Sequence, residues 1–169
     1  ATNTVTIRII TNASYGFSPA GCVTSILYEG SGVQETVGLT WNSRYQLTEV
    51  TTNGVSAERY GFDPLGRRAW TAQGAITNFH VYDGVHCIAD LNATGGLIRT
   101  YTYGPGIDNL LALTVYSGGT GATPSVYFPL TDHLGTVHAL ADETGTIVES
   151  YRFDAWGRVL SVNGPNNEQ

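Results

Sequence analysis

Fourteen acidic side chains, eight arginines, four histidines and no lysine define the chemistry open to this chain. Asp63, Asp83 and Asp154 each follow an aromatic residue and could act as general acids, the first and last with an arginine four residues on, Arg67 and Arg158. His133 and His138, with Asp132 and Asp142, carry donor types that bind zinc or a similar ion. Metal ligands must converge, however, and no spacing here fixes that convergence. Arg67, Arg68 and Arg158 could hold a phosphate or sulfate, or pair with nearby carboxylates and stack on aromatics. Ser, His and Asp are all present, but no Gly-x-Ser-x-Gly elbow exposes a nucleophile. The lack of lysine excludes a phosphate-loop lysine, a Schiff-base lysine and a Ser-Lys dyad. No catalytic residue, cofactor or metal is expected.

The carboxylates recur in a repeated phrase, and the phrase explains them without catalysis. An aromatic pair at i and i+2 leads to Asp, a Gly-bearing turn and Arg in Tyr60-Gly-Phe-Asp-Pro-Leu-Gly-Arg67 and Tyr151-Arg-Phe-Asp-Ala-Trp-Gly-Arg158. Asp132-His-Leu-Gly-Thr136 keeps the turn without the aromatic lead. Weaker echoes are Leu39-Thr-Trp-Asn42, His80-Val-Tyr-Asp83 and Tyr101-Thr-Tyr-Gly104. The closing positions 42, 63, 83 and 104 lie 21, 20 and 21 residues apart, the mark of a repeat architecture. A catalytic pair needs a pocket of its own, whereas a repeat sets its residues in a ladder.

Residues at i and i+2 share one face of a strand, so the aromatic pairs suit a sheet. The repeat motif then comprises Tyr60, Phe62, Asp63, Gly66, Arg67, Tyr82, Asp83, Tyr101, Tyr103, Asp132, Gly135, Tyr151, Phe153, Asp154, Gly157 and Arg158. Asp bonds amides just downstream and Gly accepts positive φ, so each phrase reverses the chain. Turns of a second kind fall between: Asn53-Gly54, Gln73-Gly74, Ala93 to Gly96 and Glu143 to Gly145. Strands are predicted at 37–42, 45–52, 55–63, 67–72, 75–83, 86–91, 97–103, 110–116, 125–131, 136–141, 146–154 and 158–162. They form an all-β, extended antiparallel meander of about a dozen strands. Residues 1–36 are expected to be a cap or non-repeat β segment with a strand at Val5–Ile10, residues 37–162 the repeat sheet, and residues 163–169 a flexible tail. The Gly-rich run from Ser117 to Pro124 is a predicted flexible connection.

The ordered elements Phe79-His-Val-Tyr-Asp-Gly84, Tyr101-Thr-Tyr-Gly-Pro-Gly-Ile-Asp108, Leu130-Thr-Asp-His-Leu-Gly-Thr136 and Tyr151 to Arg158 closely resemble the Rhs/YD-repeat core over about residues 38–160. The resemblance implies a sheet that curls, open or as part of a hollow β-shell, around a toxic C-terminal cargo domain. Relatives of this kind are polymorphic toxins, toxin-complex subunits, wall-associated proteins and the teneurin adhesion receptors. The chain departs from the toxin branch after the last phrase. Val162-Asn-Gly-Pro-Asn-Asn-Glu-Gln169 matches neither a Gly-Arg-Glu-Tyr-Asp-like element nor a self-cleavage site, so self-cleavage is assigned to no residue.

Composition bounds partners and compartment. Charged residues make up only 13%, about half the usual share, which leaves a wet but largely uncharged surface. A net charge of −6 without a basic cluster argues against nucleic acid and anionic membrane, and no apolar run spans a bilayer. Secretion or display at the cell surface is expected. Cys22 and Cys87 either pair or remain as half-buried thiols. Two function classes follow. One is a non-catalytic β-scaffold, part of a shell around cargo or assembling with more repeats or copies of itself through its sheet edges. The other is a carbohydrate-binding or adhesion module presenting Trp41, Trp70 and Trp156.

Overall fold

The computed structural model describes residues 10–30, 32–116 and 123–164. Fourteen strands follow one another: β1 (Ile10–Phe17), β2 (Val23–Gly30), β3 (Val33–Trp41), β4 (Leu47–Thr52), β5 (Val55–Phe62), β6 (Arg68–Gln73), β7 (Ile76–Asp83), β8 (His86–Asn92), β9 (Leu97–Tyr103), β10 (Leu110–Val115), β11 (Ser125–Thr131), β12 (Val137–Ala141), β13 (Ile147–Phe153) and β14 (Val159–Asn163). Each strand is hydrogen-bonded to its sequence neighbours, so the order in the sheet is the order in the chain. Among the described residues the sheet is antiparallel and unclosed, with a single ladder on β1 and on β14.

The twelve predicted strands appear with ends shifted by two residues or fewer, except that β3 begins at Val33. Its added residues pair with β2, from Gly30 with Val33 to Ser25 with Gly38. Strands β1 and β2 fall in the stretch expected to lack the repeat phrase, but Tyr15-Gly-Phe-Ser-Pro-Ala-Gly21 joins them as a copy of it with Ser18 in place of Asp. β-Branched and aromatic residues such as Val23, Ile26 and Tyr28 carry β2. Of the strand predicted at Val5–Ile10, residues 5–9 lie outside the described residues, as do 117–122 of the Gly-rich connection and 165–169 of the tail.

The chain divides into two compact units, Ala1–Asn78 and Phe79–Gln169. In the first, Tyr60 and Ala72 are buried; in the second, Ala89, Asp90 and Ala141 are. Among the described residues no large side chain is fully enclosed. Stability therefore rests on ladders, turns and half-covered faces more than on a central core.

The turns have one dominant design. At Ser18, Asn42, Asp63, Asn92, Asp132, Asp142 and Asp154, the N–H of the first residue donates to the carbonyl four residues on, and the N–H of the fourth donates back to the first carbonyl. The fourth residue has positive φ in every case: Gly21, Tyr45, Gly66, Gly95, Gly135, Gly145 and Gly157. Each turn sits beside a register shift in its ladder. This is a type I turn closed by a left-handed residue and a bulge, one of the short connections that suits the right-handed twist of a sheet.

The expected split into two kinds of turn is thereby corrected. The turns at Asn92 and Asp142, grouped by sequence with Asn53-Gly54, have the geometry of the Asp63 turn. Loop length decides the type, because a three-residue loop needs the acceptor side chain and a two-residue loop does not. Asn53-Gly54 is a two-residue connection with φ of 51° and 79°, in which the Asn53 side chain also accepts from Thr36 N. Asp83 likewise precedes a two-residue connection, Gly84-Val85. Gly104 opens a longer loop that Asp108 closes at φ 54°.

Candidate functional site

The repeat residues are positioned by these turns. Asp154 Oδ1 accepts from Trp156 N and Arg158 N, both at 2.9 Å. Asp132 Oδ1 does the same for Leu134 N and Thr136 N, and Asp142 Oδ1 for Thr144 N and Thr146 N. Asp63 Oδ1 accepts from Arg67 N, while its Oδ2 lies 2.7 Å from Arg67 Nε. Arg158 Nε stands 3.2 Å from Asp154 Oδ2. The turn amides hold the Asp132 and Asp154 carboxyls below the ordinary range, and at Asp142 the Thr144 hydroxyl is the largest single cause, joined by the turn amides. At Asp63 partial desolvation pushes upward, but the bonds from Arg67 outweigh it. Carboxylates held in this way serve as acceptors, not as proton donors at neutral pH.

His138 Nε2 stands 3.4 Å from Asp132 Oδ2 at half-exposed positions. Asp142 belongs to the next turn, across β12 from Asp132, so these four residues do not converge.

The aromatic pairs share one face within each unit. Leu39 pairs with Val50 and Val50 with Glu58, which puts Leu39, Trp41, Glu58, Tyr60 and Phe62 on one side. Arg68 caps the Tyr60 ring, its guanidinium carbon 4.4 Å from the ring centroid. Trp70 lies on the other face, over Gly61, where a Cβ would come within 1.9 Å of the indole Nε1. Trp41 donates its indole N–H to Val23 O at 2.7 Å. Trp156 sits at a turn tip and is 93% exposed. Trp41 and Trp70 therefore occupy opposite faces of the first unit.

Each of three phrase tyrosines is tied to a carboxylate, a regularity the aromatic pattern did not disclose. Tyr60 donates to Glu58. Tyr151 bonds Glu149 and, by burial first and this bond second, is pushed up to about 12. The sequence signal is Glu-x-Tyr, two residues apart and so on one strand face. Arg99-Thr-Tyr101 breaks it with an arginine. There the carboxylate comes from the adjacent strand: Tyr101 Oη donates to Asp90 Oδ2 at 2.6 Å.

Asp90 is the site's centre. It is 7% exposed, the buried charged residue among those described. His80 Nδ1, on β7, donates to Asp90 Oδ1 at 2.7 Å. Cys87 Sγ, on β8, lies 3.8 Å from that same oxygen and 3.7 Å from Ala89 O. Imidazole, thiol and carboxylate donor atoms all fall within 4.8 Å of one another. Burial, and then the charge of Asp90, raises the Cys87 thiol above its ordinary value, and the Tyr101 phenol is raised by burial and its bond to Asp90. Tyr103 stacks on His86 at 4.4 Å between centroids, and His86 Nδ1 is buried without a hydrogen-bond partner. Cys22 and Cys87 are both free thiols. Sequence reasoning met His80 as an echo of the phrase and Cys87 as either a disulfide partner of Cys22 or a half-buried thiol. It missed Asp90, which belongs to no phrase.

The teneurin YD-shell profile matches residues 19–168. The chain belongs to that family. Among curated relatives of this YD-shell chain, the tRNA(Glu)-specific nuclease WapA of Bacillus subtilis subsp. natto (strain BEST195) is 32% identical over 141 residues, covering 79% of this chain and 6% of that protein. Double-stranded DNA deaminase toxin A of Burkholderia cenocepacia (strain H111) is 27% identical over 157 residues, covering 78% and 11%. The crystal structure of TcdB2-TccC3 without its hypervariable C-terminal region aligns with a TM-score of 0.53 at 14% identity, over 91% of this chain and 10% of that one. The YD-shell chain thus spans a small part of each relative's length, and the structural likeness shows the fold. No helix among the described residues is long and apolar enough to cross a membrane.

Proposed function

We propose that this YD-shell chain is a non-catalytic wall segment of a secreted Rhs/YD-repeat protein, enclosing a toxin cargo. The observation that supports the reading most is a series of exposed apolar turn tips. Alternate turns carry Tyr45 and Leu65 in the first unit, and Val85, Ile107, Leu134 and Trp156 in the second. The intervening turns have polar tips, Asn53-Gly54 in the first unit and Thr94 and Glu143-Thr144 in the second, although the strands that leave them begin with exposed Val55, Ile76, Leu97 and Ile147. Exposed apolar tips call for a neighbouring layer to cover them. A coiled wall supplies one.

The test uses the full natural polypeptide that contains this sequence, with Leu134→Ser and Trp156→Ser introduced together. Both sites lie outside the strands, so the sheet's own stability should shift by under ~0.5 kcal/mol. Expected are closed particles of the unsubstituted protein in electron micrographs, and protease-sensitive, leaky particles of the double variant. Particles equally closed in both, or none in either, would overturn the wall reading.

A further inference from the structure

We infer that His80, Cys87 and Asp90 form a binding site for a single Zn2+-class ion that staples β7 to β8. The donor set comes first: one imidazole nitrogen, one thiol sulfur and one carboxylate oxygen, within 4.8 Å of one another. Mixed N, S and O ligands favour zinc over magnesium or calcium, which prefer oxygen alone. The site is local, since all three donors come from one hairpin whose connection is Gly84-Val85. Closing it costs little chain entropy.

The surroundings are those of a ligand site. Tyr101 Oη holds Asp90 Oδ2 at 2.6 Å from the neighbouring strand, which leaves Oδ1 facing His80 and Cys87. A phenol fixing the distal oxygen of a ligating carboxylate is the outer-shell partner that tunes a metal site. Cys87 Sγ and Asp90 Oδ1, 3.8 Å apart, already have about the separation of two ligands on a tetrahedral ion with bonds near 2.3 and 2.0 Å. His80 Nδ1 and Asp90 Oδ1, at 2.7 Å, must part by roughly 0.6 Å to admit the ion, within the reach of small side-chain rotations. Loading releases the thiol proton of Cys87 to solvent and moves the His80 proton from Nδ1 to Nε2, leaving a thiolate, a neutral imidazole and a carboxylate as ligands. Water takes the fourth position. A unit in which no large side chain among the described residues is fully enclosed gains most from such a staple. The inference does not depend on the wall reading.

The test is titration of the metal-stripped, reduced chain with Co2+, followed by displacement with Zn2+. Expected are a thiolate-to-cobalt charge-transfer band in the near ultraviolet and tetrahedral d–d bands, saturating at one equivalent and abolished by Zn2+. Cys87→Ser, nearly isosteric, should lose the charge-transfer band while keeping its far-ultraviolet dichroism, and His80→Gln should weaken binding at least tenfold. Tyr101→Phe should weaken it about tenfold, the lower end for an outer-shell loss. Cys22→Ala should change nothing. A folded chain with no saturable band, or a band that survives Cys87→Ser or vanishes with Cys22→Ala, would overturn the site.

Discussion

Tyr60 and Tyr101 occupy the same slot of the repeat phrase, yet their surroundings have diverged. Tyr60 bonds Glu58 on its own strand and lies under the Arg68 guanidinium, an arrangement open to water at Glu58 and Arg68. Tyr101 has Arg99 in place of that glutamate and reaches across to the buried Asp90, which also gathers the half-buried His80 and Cys87. A tyrosine hydroxyl at this slot needs an acceptor in both cases. When the acceptor comes from the same strand the phrase is self-contained; when it comes from the next strand, a half-buried polar cluster assembles around a buried carboxylate. One residue exchange, Glu for Arg two positions before the tyrosine, separates a scaffold repeat from a candidate site.

The largest test of that contrast is removal of each acceptor. Asp90→Ala strands the Tyr101 hydroxyl and the His80 N–H in a buried place, and should cost ~3 kcal/mol. Glu58→Ala exposes Tyr60 to water that can replace the bond, and should cost under ~1 kcal/mol. Urea denaturation with a chelator present, which keeps any metal out of the comparison, measures both. Equal losses would mean the two phrases are energetically alike.

Gly61 sharpens the comparison from the other face. Trp70 covers it so closely that Gly61→Ala forces the indole aside, at about 2 kcal/mol by the cost of overpacking. Thr102 occupies the same slot between Tyr101 and Tyr103 and is exposed. Thr102→Ala should stay within ~0.5 kcal/mol. A denaturation midpoint that moves alike for both would show that the Trp70 contact does not constrain the strand.

The turns should respond alike in both units, since their design is shared. Gly66→Ala and Gly157→Ala, at φ of 87° and 81°, should each lose ~1 kcal/mol. Tyr45, which holds φ 59° without being glycine, should give back a similar ~1 kcal/mol on Tyr45→Gly. Thermal melts of the three variants check the signs.

Strand positions were legible because a period-2 aromatic pair and an Asp-x-x-Gly turn are local signals. Asn53-Gly54 and Asp63 to Arg67 each declare their own geometry. Strands β1 and β2 were not, because Ser18 replaces Asp as the turn acceptor and so disguises the phrase that the aromatic pair Tyr15 and Phe17 leads into. The Asp90 cluster was illegible for a different reason. Its members lie on three strands, and only the register of Asp90 with Arg99 places the carboxylate on the Tyr101 face. Periodicity reports a strand's own faces and says nothing of which partner faces which.

The smallest expected effect compares turns that use Asp with turns that use Asn. Asn42 and Asn92 make the same side-chain bonds as the aspartates, Asn42 Oδ1 accepting from Arg44 N at 2.9 Å and Gln46 N at 3.0 Å. They carry no charge to titrate. Asp63, Asp132, Asp142 and Asp154 are held below the ordinary carboxylate value of 3.8 by the bonds they accept. A folded value lower than the unfolded one means that the unfolded chain binds protons first as pH falls. The stabilisation is therefore complete above about pH 5 and is lost as pH falls through 3.8 toward the lower folded values. Asp142→Asn should keep the turn, as Asn92 does, and flatten part of this acid slope. Asp142→Ala should lower stability at every pH because the two amides lose their acceptor. Melting temperatures of both variants between pH 7 and pH 3 separate the two effects. An Asn variant with the unaltered acid slope would show that the Asp142 charge adds nothing that an amide oxygen does not already supply.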